Sequence, residues 1–474
     1  MCRGSAAAWA VAAPVLLSAQ AASAATWYVG GNDPGAFADV QSAIDAAAVG
    51  DEIRVAEGTF LGAIDFGGKD LSLLGRGIGL TRLDVGCEQV VNLNGLGPGA
   101  LIADLTFYAA CTGKDQVGPS VWGAEDSSPR LQRVSIVGDP QPAGLILHGP
   151  LAAQPGQGLV EDIFLVQAPF TECAGLFGNA ASFRRYPGPI RRLVVAHPCP
   201  SSLHLDSGPV DLANVIVRAN NRVGPAIYAG DSSVLVSQVT ATKTMLLDTA
   251  DLFVTPRDDT AEIRSSVLAG SIAPALLACP GTGYNHNDDE PLRMSWTDAW
   301  PNPGGEPVAC GTGWADCFSC GDANPYPVEG EGNLSSDPLF IDWNDDGNPS
   351  NDNLCPGAGS PLIDAGDPAE QDPDGTRADI GAFGGPYAFT CEEVLDADED
   401  GYMPIMGDCD DGDAGRFPFN DEVPCDGIDQ DCDGTDTEAD CGDDDDSGDD
   451  DSVDDDSAGD DDSAGDDDSA GDDD

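Results

Sequence analysis

Beyond residue 100 the apolar positions recur in short bursts rather than in long amphipathic stretches. A hexad of the form apolar-x-polar-x-x-apolar starts at Ile102, Leu131, Val160, Ile190, Leu212, Val236 and Ile263, so successive copies lie 29, 29, 30, 22, 24 and 27 residues apart. In most copies the fourth place is apolar as well, at Leu105, Val134, Ile163, Leu193, Val215 and Val239. Short strands at a loose period of about 20 to 30 residues predict a solenoid, because each coil buries its inner face only by stacking on its neighbours. A second run follows within each coil: Val121-Trp122-Gly123, Leu145-Ile146-Leu147, Leu176-Phe177-Gly178, Leu203-His204-Leu205, Ile227-Tyr228-Ala229 and Met245-Leu246-Leu247. Alternation turns the outer members inward and the middle ones outward. Stacked about 4.8 Å apart, Trp122, Ile146, Phe177, His204, Tyr228 and Leu246 are expected to form one outward column.

A solenoid needs capping at both ends. Phe37, Val40, Ile44 and Ala47 recur at helical spacing just before the strand-like Ile53-Arg54-Val55, which predicts a short amphipathic helix plugging the first coil. The chain then divides by composition into residues 25–278, the strand-rich body; 279–390, loop-like and expected to close the far end; 391–441, rich in Asp and Cys; and 442–474. In that last stretch DDDSAG occurs three times in a row, a composition that cannot bury a core and is expected to be disordered. Residues 1–24 read as a removable signal peptide: Arg3, a short apolar run through Val11, Val15, Leu16 and Leu17, and small residues at Ala22-Ser23-Ala24. That run is too short for a transmembrane helix and no later one suffices, so the expected location is extracellular or at the cell surface.

The fold expectation sharpens on particular residues. The opening Phe37-Ala38-Asp39-Val40-Gln41-Ser42-Ala43-Ile44, followed by Gly50-Asp51-Glu52-Ile53-Arg54-Val55 and Gly58-Thr59-Phe60, resembles the first coil of pectin-lyase-like right-handed parallel β-helix proteins. Ala226-Ile227-Tyr228-Ala229 through Ser233-Val234-Leu235-Val236 is similar to their internal repeat. Asp337-Pro338-Leu339-Phe340, Ser360-Pro361-Leu362-Ile363-Asp364-Ala365-Gly366 and Asp379-Ile380-Gly381-Ala382-Phe383-Gly384-Gly385 resemble the C-terminal segment of secreted, surface-attached members. The resemblance implies an all-β, right-handed parallel β-helix over roughly residues 26–387.

Charge narrows the partners. The formal net charge is −64, and the stretch from Cys391 onward holds 38 Asp or Glu against the single Arg416, a net −37. Nucleic acid and anionic membranes are excluded by like-charge repulsion, whereas cations and extracellular polysaccharides remain open. The acidic tail fits a spacer that holds the body away from a cell envelope, extended by its own repulsion. Fifteen cysteines become fourteen once Cys2 leaves with the leader, and an even count in an exported chain favours disulfides over zinc, including at Cys310, Cys317 and Cys320.

Metal binding is the sharpest chemical signal. Asp396, Asp398, Asp400 and Gly401 read DxDxDG, which sets hard oxygen ligands on alternate residues ahead of a sharp turn. Gly407 stands where an EF-hand carries its bidentate acid, with Asp408 one place later, so a non-EF calcium loop is the expectation. Asp408-Cys409-Asp410-Asp411 and Cys425-Asp426-Gly427-Ile428-Asp429-Gln430-Asp431-Cys432-Asp433-Gly434 together resemble the Asp/Cys metal-binding motif of bacterial surface proteins, the MopE-type motif. That resemblance carries an association with copper, but copper prefers His, Met or thiolate; no His lies beyond His286, and Met403 and Met406 are the soft neighbours. Calcium is therefore preferred, with carboxylates merely solvated around a disulfide staple as the alternative. Asp342, Asn344 and Asp346 repeat the alternation in the capping segment.

Catalysis has to be argued from residues rather than from fold. Arg185 and Arg191 come near the RxPxxR of pectate lyases, but one extra residue separates them and turns the second to the other face of a strand. No clustered Asp pair of the galacturonase kind appears. What remains is His204 beside Tyr228, with His148 and Asp206 displaced along the same strands, as an acid and base pair for proton abstraction. Packing under loops is the plainer account of these residues. Sugar stacking on Trp122, Phe177, His204 and Tyr228 lies between the two. Expectation thus falls on a non-enzymatic surface scaffold that binds calcium and contacts glycan, with a polysaccharide lyase or other carbohydrate-active enzyme as the alternative.

Overall fold

The computed structural model describes residues 24–86, 90–110, 120–139, 144–151, 156–167, 180–197, 203–207, 209–219, 226–243, 252–269, 276–278, 292–300, 328–343 and 352–436. The tail 442–474, residues 1–23, Phe177, Leu246, Asn344, Asp346 and the cysteines at 310, 317 and 320 lie outside these residues. Parallel strands stack coil on coil into a β-helix, and the hexads stack in register: Ile102 opposes Leu131, then Val160, Ile190, Leu212, Val236 and Ile263 in turn. The fourth places form a second inward column from Leu105 to Val239, and the sixth a third from Phe107 to Leu268. All are buried in one continuous core, so each aliphatic side chain is hidden by the coils before and after it.

The polar third place of the hexad has a conformational cause. Asp104, Arg133, Asp162, Arg192, Asn214, Gln238 and Ser265 all adopt positive φ, between 46° and 61°, turning the chain through one corner of every coil. Asp and Asn tolerate this region, whereas Arg and Gln do so at a cost, and stacking offsets it here. Arg133 pairs with Asp104 and Arg192 with Asp162 from coil to coil.

At the N-terminal end the helix Val40–Ala46 buries Val40, Ala43 and Ile44 over the first coil. Asp39 caps it by accepting from Ser42 N at 2.7 Å, and Lys69 Nζ donates to the carbonyls of Ile44 and Ala47 at its C-terminal end.

After the coils the chain folds back along their flank. Asn214, wholly buried, donates to the carbonyls of Ala382 at 3.0 Å and Gly384 at 2.6 Å. Arg191 donates to the Tyr387 hydroxyl at 2.9 Å and lies over its ring, so this arginine serves the capping segment. A second apolar cluster joins Tyr108, Val137, Phe164, Val194 and Ile216 of the coils to Phe389, Val394, Tyr402, Met403 and Met406. It holds the acidic module in place.

Candidate functional site

Two loops of the acidic module fold alike. In the first, Gly401 N donates to Asp396 Oδ2 at 3.2 Å, Asp400 N to Asp398 Oδ1 at 3.2 Å, and Tyr402 N to Asp400 Oδ1 at 2.8 Å. In the second, Gly434 N donates to Asp429 Oδ2 at 2.9 Å, Asp433 N to Asp431 Oδ1 at 3.1 Å, and Thr435 N to Asp433 Oδ1 at 2.8 Å. Glycine closes both turns at φ 96°, and the residue at the fourth place is left-handed in each, Glu399 at 66° and Cys432 at 57°. Residues 429–434 are therefore a second DxDxDG loop, hidden in the sequence inside a string that reads first as a cysteine motif. The Cys409–Cys432 disulfide ties the second loop to the residue after Asp408. Cys355–Cys391 fastens the head of the module to the capping segment.

In the first loop the backbone takes one oxygen of each carboxylate and leaves the other. Asp396 Oδ1, Asp398 Oδ2, Asp400 Oδ2 and Asp408 Oδ2 are all buried without a hydrogen-bond partner, and carboxylate atoms of Asp396, Asp398 and Asp400 lie within 4.8 Å of one another. Asp396 is 4 % exposed and Asp408 9 %. Burial, then repulsion from Asp400 and Asp398, lifts the Asp396 carboxyl to about 8. Burial lifts Asp400 to about 7, with Asp398, Asp408 and Asp411 adding repulsion, and lifts Asp408 to about 6. Asp411 accepts from Ala397 N at 2.9 Å and faces the same group of charges. Hard, convergent carboxyl oxygens in a desolvated place are the donor set that calcium takes. Gly407 replaces the acid of an EF-hand for a steric reason: at φ 100° it packs backbone to backbone on Gly79, where a Cβ would come within 3.0 Å of the Gly79 Cα.

The second group brings Glu422 to Asp429 and Asp431. Glu422 Oε1 accepts from Gln430 N and Asp431 N, and Asp429 Oδ1 is buried without a partner. Two other expected ligands, Asp410 and Asp426, are engaged by other partners. Asp410 pairs with Arg416 at 2.6 Å, leaving its place beside the first loop to Asp411. Asp426 spends both oxygens on Ile428 N and Gln430 Nε2. Asp433 stays in its loop with one oxygen bound to Thr435, and Asp342 sits exposed in the antiparallel strand Phe340–Asp342. Soft donors are committed elsewhere. Met403 and Met406 are buried in the flank cluster, and Cys355, Cys391, Cys409, Cys425 and Cys432 are disulfide-bonded.

On the strands after the corner the outward column runs through Trp122, Ile146, Ser182, His204 and Tyr228, and the backbone of Phe253 pairs in register with Tyr228. The strands Ala181–Arg184 and Leu252–Arg264 supply the places expected of Phe177 and Leu246. His204 and Tyr228 stack at 4.6 Å between centroids and 5° between planes, while Trp122 remains 38 % exposed. Two residues along the same strands, His148, Arg184 and Asp206 form a neighbouring column, with Arg184 paired to Asp206 at 3.2 Å. His148 Nδ1 lies 3.2 Å from the Ala124 carbonyl. Burial lowers the affinity of both imidazoles for a proton. All four candidates are thus brought together, and Arg184 joins them from a strand the repeat did not reveal.

No family model and no curated protein matches the chain. Among solved structures, it is similar to the A-module of the mannuronan C-5 epimerase AlgE4 of Azotobacter vinelandii, at 10 % identity over 54 % of this chain and 82 % of that one, with a TM-score of 0.27. The AlgE6 A-module of the same organism follows at 12 % identity, 63 % and 94 % coverage and a TM-score of 0.24. Pectin methylesterase PemA of Erwinia chrysanthemi follows at 12 %, 59 % and 79 %, with 0.21. Likenesses this distant carry no argument about the site.

Proposed function

We propose that the chain is an extracellular or cell-surface β-helix scaffold whose acidic module binds calcium. The observation that carries this reading is the set of unpartnered, buried oxygens of Asp396, Asp398, Asp400 and Asp408. Buried carboxylates left unpaired cost several kcal/mol, and a divalent cation is the simplest group that satisfies them together. Magnesium demands a tight octahedron and keeps its water, and the soft donors that copper prefers, Met403, Met406 and the described cysteines, are held in the flank cluster and in disulfides. Disulfides fit an oxidising compartment, and no described helix is long and apolar enough to cross a membrane. Trp122 and the stacked pair His204 and Tyr228 stand in one outward column as the contact for a polysaccharide, and the tail serves as spacer from an envelope. Titration calorimetry on chelator-stripped protein tests the calcium claim. Saturable calcium binding, weakened at least tenfold in Asp398→Asn, is expected; no calcium heat, or tighter binding of copper, contradicts it.

One observation favours a second reading, a polysaccharide lyase or related carbohydrate-active enzyme: Arg184 stands beside two neutral imidazoles and a stacked tyrosine. A guanidinium neutralising a uronic carboxylate beside a proton acceptor is the minimum for abstracting the adjacent proton. Incubation with anionic polysaccharides, with and without calcium, separates the readings. Sugar retained without unsaturated product supports the scaffold, and product lost in His204→Ala and Arg184→Ala supports the enzyme.

A further inference from the structure

Along residues 394–408 the side chains that hold the module on the coils directly flank those that face the cation site. Val394, Tyr402, Met403 and Met406 are buried against Tyr108, Val137, Phe164, Val194 and Ile216. Asp396, Asp398 and Asp400 lie between Val394 and Tyr402, and Asp408 follows Met406; each keeps a buried, unpartnered oxygen, and two of these residues, Asp396 and Asp408, are more than nine-tenths buried. The anchor at the loop's entrance is Arg218, which lies wholly inside the flank and donates from Nη2 to the Val394 carbonyl at 2.9 Å. At the exit Gly407, at φ 100°, packs tightly on the Gly79 backbone. Loop shape and docking are thus one arrangement of one stretch of backbone.

Mutual repulsion among the four carboxylates opposes that arrangement, and a cation reverses the sign of the effect. Binding to a conformer that only the docked module provides favours docking by the same free energy.

We infer that the site is a clasp: cation occupancy locks the acidic module onto the flank of the β-helix, and cation withdrawal releases the module while the coils stay folded. Release uncovers the apolar strip of Val137, Phe164, Val194 and Ile216. The inference rests on the calcium reading above, and its test keeps the two apart.

Methionine oxidation reads the clasp directly. Met403 and Met406 lie in the docked face at 2 % and 0 % exposure, and Met294 lies in the coil core at 2 %, which makes it an internal control. Full-length chain in calcium chloride or in EGTA is exposed to dilute peroxide, sulfoxide is followed at each methionine by mass spectrometry, and calcium binding is measured on the same preparation by calorimetry. Expected is a rise of tenfold or more at Met403 and Met406 in EGTA with Met294 unchanged, and the same rise in calcium for Asp398→Asn. Calcium binding with equal protection of Met403 and Met406 in both buffers overturns the clasp and leaves the calcium reading standing. A parallel rise at Met294 also overturns it, since the whole chain would then be opening. Absence of calcium binding removes the underlying reading and the clasp with it.

Discussion

The coils and the acidic module bury polar groups in opposite ways. In the coils a buried hydroxyl reaches a carbonyl of its neighbour: Thr81 to Ala56, Thr106 to Ile78, Ser127 to Leu93, Tyr186 to Pro129. In the first loop of the module, four carboxylates within a short stretch keep one oxygen each without a partner. The coils leave unpartnered atoms singly, as at Ser135 Oγ, Asn214 Oδ1 and Asp298 Oδ2, whereas the module gathers four carboxylate oxygens of this kind in one stretch. The difference locates where stability should respond to solution conditions and where it should not.

The comparison breaks first if the coils prove sensitive to calcium. Phe107→Ala empties a fully buried place in the central column and is expected to cost about 3–5 kcal/mol, the same in calcium and in EGTA, by denaturant unfolding of the coil transition. Next comes a buried charge within the coils. Burial lifts Asp298 to about 6. A carboxyl raised in the native state stabilises it fully below the unfolded value near 4 and loses that contribution as pH rises through 6. Wild type should therefore lose on the order of 3 kcal/mol between pH 4 and pH 8 relative to Asp298→Asn, as thermal melts across that range would reveal. At the seam, Asn214→Ala leaves the carbonyls of Ala382 and Gly384 without their donor, an expected loss of about 1–3 kcal/mol that chelation should enlarge. The smallest effect sharpens the ligand set. Asp410→Asn breaks only the half-exposed pair with Arg416, so calcium affinity should change less than about threefold, against tenfold or more for Asp398→Asn.

Much of the coil architecture was legible because a β-helix repeats its inward residues at one place in every turn. Register went astray where that signal thinned. Ala181-Ser182-Phe183 carries two small residues and escaped notice beside the more apolar Leu176-Phe177-Gly178, and Arg184 was missed with it. The docked flank had a readable mark. The fifth place of the hexad is polar at Thr106 and Ser135 but apolar at Phe164, Val194 and Ile216, the outward strip that the module covers. The first acidic loop was plain from DxDxDG. Asp411 and Glu422 were not, since they enter their groups through space rather than spacing. No local pattern foretells that Arg416 claims Asp410.

Scanning calorimetry of the full-length chain over a calcium series tests the account most directly. Two transitions are predicted, one that climbs steadily with free calcium as ligand linkage requires and one that stays fixed. A single transition, indifferent to calcium and to chelator, would contradict it.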